Sequence, residues 1–524
     1  MPVVKKSYYD RAAMSVHVPP HPAARAGQPA PHTPRHVRVA IVGAGFSGLG
    51  LAIRLKQHGI DSFVLLERAD DIGGTWRDNI YPGCACDVPA NLYSFSFAPN
   101  PQWSHIYARQ PEIWTYLRRC VRRFGLQDHI HFGHEVRNAS WDDEQGQWRI
   151  DTTGGELTAD ILALGNGPLS EPALPAIPGL ERFGGTVFHS AQWDHGHDLS
   201  GERVAVIGTG ASAIQFVPQI QPRVGHLSLF QRTPPWIIPR GDRCLSEREK
   251  LLYRALPIAQ YLERAKIYWR NELTVVGLVY QPDKMKAAEK LAQRHLEAQV
   301  ADPELRAKLT PTYRLGCKRI LLSDDFYPAL TRDNVELVTE RIREVRAGSI
   351  VTEDGAEHAV DTIILATGFH VTDNPSYRRL HGRDGRSLAE VWSSGPQAYL
   401  GTTVAGFPNL FLLIGPNTGL GHTSMVFMIE SQLSYILGCL RLMKRRGLRS
   451  VEVQTTAQER YNARLQRRLQ KTVWNSGGCA SWYLHAGGRN TTLWPGFTWE
   501  YWLRTRRFDP ARYILTPLGS VARS

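Results

Sequence analysis

Cysteine is scarce in this chain. The seven in 524 residues, Cys84, Cys86, Cys120, Cys244, Cys317, Cys439 and Cys479, follow no regular spacing. That scatter argues against a disulfide framework and against a zinc site, so the expectation is reduced thiols in a cytoplasmic protein. Cys84 and Cys86 have one residue between them, which is not the spacing of a dithiol redox centre, and with Pro82-Gly83 and Asp87 around them they read as a turn. Long apolar runs are missing too. The best candidate, Ser424 to Met443, carries Glu430, Gln432 and Ser434 and reads as a buried or amphipathic helix, so no integral membrane segment is expected. The first 36 residues are nearly free of acids, with Asp10 alone, and have no continuous apolar core of the kind a secretory signal needs. Rich in Pro, Ala and His, they are expected to form a disordered arm; their acid-poor, Arg-containing text is loosely that of a transit sequence, against which the prolines count. His17, His21, His32 and His36 are irregularly spaced, so solvated side chains and no metal are expected there. No nucleic-acid motif accompanies the net charge of +13, whose scattered basic residues suit anionic cofactors and solubility instead.

What the chain does have is two glycine fingerprints. Gly43-Ala44-Gly45-Phe46-Ser47-Gly48 and Gly208-Thr209-Gly210-Ala211-Ser212-Ala213 each follow a short apolar run that reads as a buried strand. The first glycine permits a tight strand-to-helix turn, the second lets backbone approach a pyrophosphate, and the third small residue lets helix pack on strand. A single fingerprint of this kind is weak, but two in matched strand–turn–helix–strand units imply two dinucleotides. The residues that follow distinguish them. In the first unit Ser62-Phe63-Val64-Leu65-Leu66 ends at Glu67, an acid 24 residues past Gly43 and placed to accept hydrogen bonds from ribose hydroxyls, which suits FAD or NAD. The second unit ends at Leu229-Phe230-Gln231 and offers Arg232, a guanidinium for a 2′-phosphate, which suits NADP.

With 42% apolar residues the chain is long enough for two or three domains. Alternating strands and helices predict an α/β fold: two nested dinucleotide-binding, Rossmann-like, doubly wound domains with a helical insertion. The expected order is the arm at 1–36, the first part of an FAD-binding domain at 37–170, an NADP-binding domain at 171–355, and the rest of the FAD-binding domain with an aromatic-rich tail at 356–524. The resumption is placed at the buried strand Asp361 to Gly368. Charged, Ala- and Leu-rich text marks the helical insertion at about 242–310.

Between the two nucleotide domains lies Phe183-Gly184-Gly185-Thr186-Val187-Phe188-His189-Ser190-Ala191-Gln192-Trp193-Asp194. This segment resembles the fingerprint of class B flavoprotein monooxygenases, specifically the Baeyer–Villiger monooxygenases. The resemblance extends to Gly73-Gly74-Thr75-Trp76, Tyr81-Pro82-Gly83 with Cys86-Asp87, Gln110-Pro111-Glu112-Ile113, Gln231-Arg232-Thr233-Pro234, Lys318-Arg319, Ala366-Thr367-Gly368 and Gly415-Pro416-Asn417-Thr418-Gly419. It covers most of 37–430 and leaves out the arm. It implies cofactor contacts at Gly74, Thr75, Trp76, Asp87, Gln110, Ser212, Thr233, Gly368 and Asn417, with Lys318 beside Arg232 at the NADP 2′-phosphate. It also implies that NADPH reduces FAD, that O2 adds to give a C4a-peroxyflavin, and that a ketone becomes an ester or lactone. Arg319 is then the catalytic cation over the flavin, because a permanent positive charge stabilises the peroxide anion and the oxyanion that follows, and Asp87 orients it. Phe183, Gly185, His189, Trp193 and Asp194 are expected to couple domain motion, the alternative being a core histidine packed beside a tryptophan.

The aromatic tail from Trp474 to Trp502 reads as packing at a domain edge or as the roof of an apolar pocket, and Trp482 is the expected substrate-side residue. Two other functions stay open: an N- or S-oxygenating flavin monooxygenase, and an NADPH-dependent flavin reductase or non-catalytic flavoprotein. Neither the ketone nor the oligomeric state is legible in this sequence.

Overall fold

A computed structural model describes residues 35–485 and 487–519; apart from Arg35 and His36, the expected arm lies outside the described residues. The strand His36–Val42 opens the fold with inward residues at 0% exposure, Val39, Ala40 and Ile41. Burial on both faces is what a central parallel strand requires. It pairs in parallel with Phe63–Leu66 on one side and Gly155–Leu164 on the other. The chain turns at Gly43, where φ is +94°, into helix Phe46–Gln57. A Cβ on Gly48 would overlap the Gly43 carbonyl oxygen, so only glycine lets this helix sit so close to its strand. The sheet runs Leu380–His381, Val136–Asp142, Gln147–Thr152, Gly155–Leu164, His36–Val42, Phe63–Leu66, Ile130–His131, with Leu410–Leu412 also on Gly155–Leu164. Met425–Arg446 packs on the glycine helix. Among the described residues it is the one helix long and apolar enough to cross a membrane, and 67% of its most apolar window is buried.

The second sheet is wholly parallel: Val335–Val338, His226–Phe230, Arg203–Ile207, Thr362–Leu365, Thr186–His189. Thr362–Leu365 therefore lies between Arg203–Ile207 and Thr186–His189 in the second sheet, not in the first, which corrects the expected resumption of the FAD-binding domain at this strand. An apolar strand ending in a glycine turn looks the same in either sheet, and the pairing partner is chosen by tertiary contacts. An antiparallel trio, Ile342–Arg346, Ser349–Thr352 and Glu357–Ala359, precedes this strand.

The insertion is helical, with Glu247–Ala255, Pro257–Leu273, Lys286–Gln299 and Pro303–Leu309. Although it interrupts the second domain in sequence, it is bonded to the first. Gln260 donates to Asn91 and to the Asn100 carbonyl, and Arg264 Nη1 donates to the carbonyls of Asn91, Leu92 and Ser94. Buried Glu272 accepts from Thr498 and pairs with His422 at 3.0 Å.

The expectation of seven reduced thiols fails at one pair. Cys317 and Cys479, 162 residues apart, form a disulfide, a pairing that no spacing in the sequence reveals. Cys84 and Cys86 are free and buried, and burial pushes the Cys84 thiol up to about 12, so neither is a ready thiolate.

Candidate active site

Both glycine turns open on one cavity of about 890 Å3. From the first, Gly43, Ala44 and Gly45 line it together with Gly73, Gly74, Thr75 and Trp76. The two glycine segments are held backbone to backbone by Gly73 N–H donating to the Ala44 carbonyl, and a Cβ on Gly74 would lie 3.3 Å from Gly45 Cα. From the second turn, Thr209, Gly210, Ala211 and Ser212 line the cavity, while Gly208 and Ala213 stand behind it. Gly208, at φ +108°, abuts the Ala366 carbonyl, and Ala213 is fully buried. A Cβ at Gly210 or Gly368 would meet no atom within 4 Å, so both backbones face open cavity. These cradles fit two dinucleotides laid against helix N-termini.

Glu67 lines the cavity at 4% exposure, with its carboxylate already engaged. Oε2 accepts from Ala44 N–H at 2.9 Å, and Oε1 accepts from Ala69 N–H and pairs with Arg77 at 2.9 Å. A carboxylate has about four acceptor positions, so ribose hydroxyls still find a partner. Arg77, which sequence reasoning missed, is the buried cation that makes this acid tolerable.

Arg319 and Asp87 meet at the cavity wall. Arg319 Nε and Nη2 both donate to Asp87 Oδ2, at 2.8 and 2.5 Å, and the side chains are 35% and 27% exposed. Attraction to Asp87 raises the guanidinium further above its usual range, outweighing burial, so Arg319 is charged at every working pH. Arg232, Thr233 and Lys318 line the same cavity. Among the described residues neither Arg232 nor Lys318 has a carboxylate partner, and Lys318 Nζ lies 5.1 Å from the Tyr313 ring centre. Burial, and then repulsion from Arg232, lower the Lys318 pKa, as expected of two cations waiting for one anion.

Two expected cofactor contacts lie elsewhere. Gln110 is buried and off the cavity wall; its amide donates to the Trp76 carbonyl and so supports a lining residue from behind. Asn417, at φ +56°, also stands back: its N–H donates to the Thr491 carbonyl and its side-chain amide to Asn490 and Leu493 carbonyls, tying down the tail. Its neighbours Gly415, Pro416 and Gly419 reach the cavity instead. A free N–H at a loop preceding a helix cannot be told from a satisfied one by sequence.

In the linker motif Phe188, His189, Ser190, Ala191 and Trp193 are buried, while Gly184, Gly185 and Gln192 are exposed. Phe183 packs in the second domain's core, and a Cβ on Gly185 would overlap the Asp361 carbonyl. His189, 1% exposed, accepts from Ala191 N–H at Nδ1, and burial pushes its pKa down to about 4. Its neighbour Ser190 lines the cavity. Trp193 packs at a tilt against Phe216, whose ring centre lies 6.0 Å from that of Tyr81 in the first domain, edge to face. Asp194 closes a turn by accepting from Gly196 N–H, and His195 in that turn bonds the Ile80 carbonyl at 2.9 Å. Gln215, also missed, joins the domains directly: it accepts from Tyr81 O–H and Ala85 N–H and donates to the Ala85 carbonyl.

In the tail, Trp474, Tyr483, Trp494 and Tyr501 are core, whereas Trp482 is 46% exposed and lines the cavity. Most of the aromatics thus pack a domain edge, and Trp482, Leu420, Met425, Ile429 and Leu493 are among the apolar residues that line the cavity.

A pair of dinucleotide cradles converging on a fixed guanidinium defines a flavoprotein oxidoreductase that uses a phosphorylated nicotinamide cofactor. Residues 36–376 match the family model "flavin-binding monooxygenase-like". A Baeyer–Villiger monooxygenase of Pseudomonas aeruginosa is 54% identical over 499 residues, covering 94% of this chain and 95% of that protein. A closed cyclohexanone monooxygenase crystal structure matches with a TM-score of 0.82 at 30% identity, covering 93% of this chain and all of that one. OTEMO in complex with FAD and NADP matches with the same score at 27% identity and the same coverage. The chain belongs to the flavin-binding monooxygenase-like family, and it is an FAD- and NADPH-dependent monooxygenase of the Baeyer–Villiger type.

Proposed function

We propose that the chain converts an apolar ketone to an ester or lactone in the cavity between its two sheets, with Arg319 as the catalytic cation, Asp87 as its positioning residue and Trp482 on the substrate side. The observation that carries this is the Arg319–Asp87 pair: a guanidinium locked by two N–H bonds to one carboxylate oxygen, a third exposed, on the wall of the cavity that both glycine turns share. Bound FAD accepts electrons from NADPH and supplies the means of activating O2. Arg319 offers a charge that no proton loss can remove, placed for negative charge that develops on oxygen during attack on a carbonyl. Asp87 limits its swing. Lys318 and Arg232 bind the 2′-phosphate and so select NADPH over NADH. The apolar lining residues Leu420, Met425, Ile429, Leu493 and Trp482 support a substrate with little polarity beyond its carbonyl, as a cyclic ketone has. Phe183, Gly185, His189, Trp193 and Asp194 couple the domains through the Trp193–Phe216–Tyr81 ring series and the His195–Ile80 bond. The domain order argued from sequence is retained with one change, Thr362–Leu365 going to the NADPH-binding sheet, and the cytoplasm is the proposed location.

The test is product analysis by mass spectrometry with NADPH, oxygen-18 gas and a panel of cyclic, aryl and linear ketones plus a thioether. An ester or lactone carrying one labelled oxygen is expected. Labelled sulfoxide with no ester from any ketone would replace this assignment with heteroatom oxygenation.

A further inference from the structure

The Cys317–Cys479 disulfide sits where the two halves of the site meet. Cys317 is the residue before Lys318 and Arg319; Cys479 is the residue before Ala480, Ser481 and Trp482, all three on the cavity wall. The two segments are also joined without sulfur: Arg314 N–H donates to the Gly477 carbonyl at 3.0 Å, and a Cβ on Gly477 would lie 2.6 Å from Cys317 Cβ. The bond therefore ties the stretch that carries both site cations to the tail of the flavin domain. The other five described cysteines are free. Access to the bridge is one-sided. Cys317 is 1% exposed, whereas Cys479 is half-buried between exposed Gly478 and Ala480, so an incoming thiolate can reach only the Cys479 sulfur.

We propose that Cys317–Cys479 is a reversible thiol–disulfide modification site that sets how firmly the NADPH side of the cavity is held on the flavin side. The proposal rests on the assignment of Lys318 and Arg232 to the NADPH phosphate. On reduction, a dithiol attacks Cys479 Sγ, the S–S bond breaks, and Cys317 leaves as a thiolate and takes up a proton. The second thiol of the reductant then displaces Cys479, leaving two protein thiols and an oxidised dithiol. In the reverse direction hydrogen peroxide is the oxidant: two thiols and one peroxide give the disulfide and two waters. Reduced, residues 477–482 keep only the Arg314–Gly477 bond and local packing, so the wall that carries Trp482 separates more readily from Lys318 and Arg319. The oxidised form closes more tightly on NADPH and loses fewer electrons to free peroxide.

The experiment uses the purified holoenzyme. Thiol titration in denaturant without reductant should count five thiols, and seven after treatment with a phosphine reductant. The reduced enzyme should show a KM for NADPH about fivefold higher and a larger share of NADPH consumed as peroxide, both reversed by one equivalent of hydrogen peroxide. Cys479→Ser should match the reduced enzyme and ignore reductant; reduced and alkylated wild type gives the same comparison if that variant does not fold. Seven thiols both before and after peroxide, or an equal KM in the two states, would overturn the proposal. Arg232→Ala in parallel separates the two ideas: an unchanged KM there removes the phosphate assignment, whatever the thiols do.

Discussion

Lys318 and Arg319 are chain neighbours with opposite surroundings, and that contrast sets what each substitution should do. Arg319 is locked to Asp87, whereas Lys318 and Arg232 have no carboxylate of their own among the described residues. Arg319→Lys keeps a charge but cannot reproduce two parallel N–H bonds to Asp87. Ketone oxygenation should fall about a hundredfold while NADPH still reduces the flavin, as stopped-flow absorbance would show. Equal loss in both steps would mean a structural defect, not a missing catalytic charge. Arg232→Ala should raise KM for NADPH about tenfold and leave KM for NADH unchanged, because only the 2′-phosphate loses its partner. His189 gives a pH signature. Its pKa falls from 6.5 to about 4 through burial, so below pH 6.5 the unfolded chain binds the proton that the folded one refuses. Stability from this group is full above pH 6.5 and declines by up to about 1.4 kcal/mol per pH unit toward pH 4. Between pH 7.5 and 5 the wild type should lose about 2 kcal/mol more than His189→Gln in urea melts. Equal losses would show that His189 is not held neutral.

At the scale of elements, the glycine turns were legible because they obey a local rule. Helix and strand cannot come together at Gly48 if a Cβ overlaps the Gly43 carbonyl, and that constraint is written in three residues. Gly48→Ala should cost about 2 to 3 kcal/mol and lower FAD content, read by thermal melting and by flavin absorbance after purification. Full FAD content with an unshifted melt would show that the helix can move away. Arg232 was legible from its place at the end of the second unit's strand, whereas Arg319, Asp87 and Lys318 were legible through family resemblance alone, since a Lys-Arg pair is otherwise an ordinary exposed pair. Other features were not legible in any window. Thr362–Leu365 reads as a buried strand in whichever sheet it joins. Asn417 keeps its place at a loop before a helix, but its hydrogen-bonding groups are taken by the tail 73 to 76 residues away. The disulfide links positions 162 apart, and Gln215 meets Tyr81 across 134, distances over which composition and periodicity carry no information.

Across the whole molecule, the insertion belongs to one domain in sequence and to the other in contact. Arg264 is the pin: its guanidinium feeds three carbonyls of the 91–94 loop, and it offsets the buried Glu430, whose pKa burial raises. Gln260 and Glu272 hold the same helix at two further points. The chain passes between the NADPH-binding domain and the insertion at two crossings, near 239–245 and 310–322; the first is bonded to the flavin domain by Ile106 N–H to the Arg243 carbonyl and Leu245 N–H to the Ser104 carbonyl, and the second carries Lys318, Arg319 and Cys317 of the disulfide. An insertion bonded to the flavin domain should lose its protection together with that domain's 91–96 loop. Arg264→Met keeps the stem but strands three carbonyls and Glu430, a loss of about 3 kcal/mol or more. Hydrogen exchange should then quicken together in 91–96 and in helix Pro257–Leu273, while Arg203–Ile207 in the second sheet keeps its wild-type rate. Faster exchange in Arg203–Ile207 with 91–96 unaffected would place the insertion mechanically with the NADPH domain.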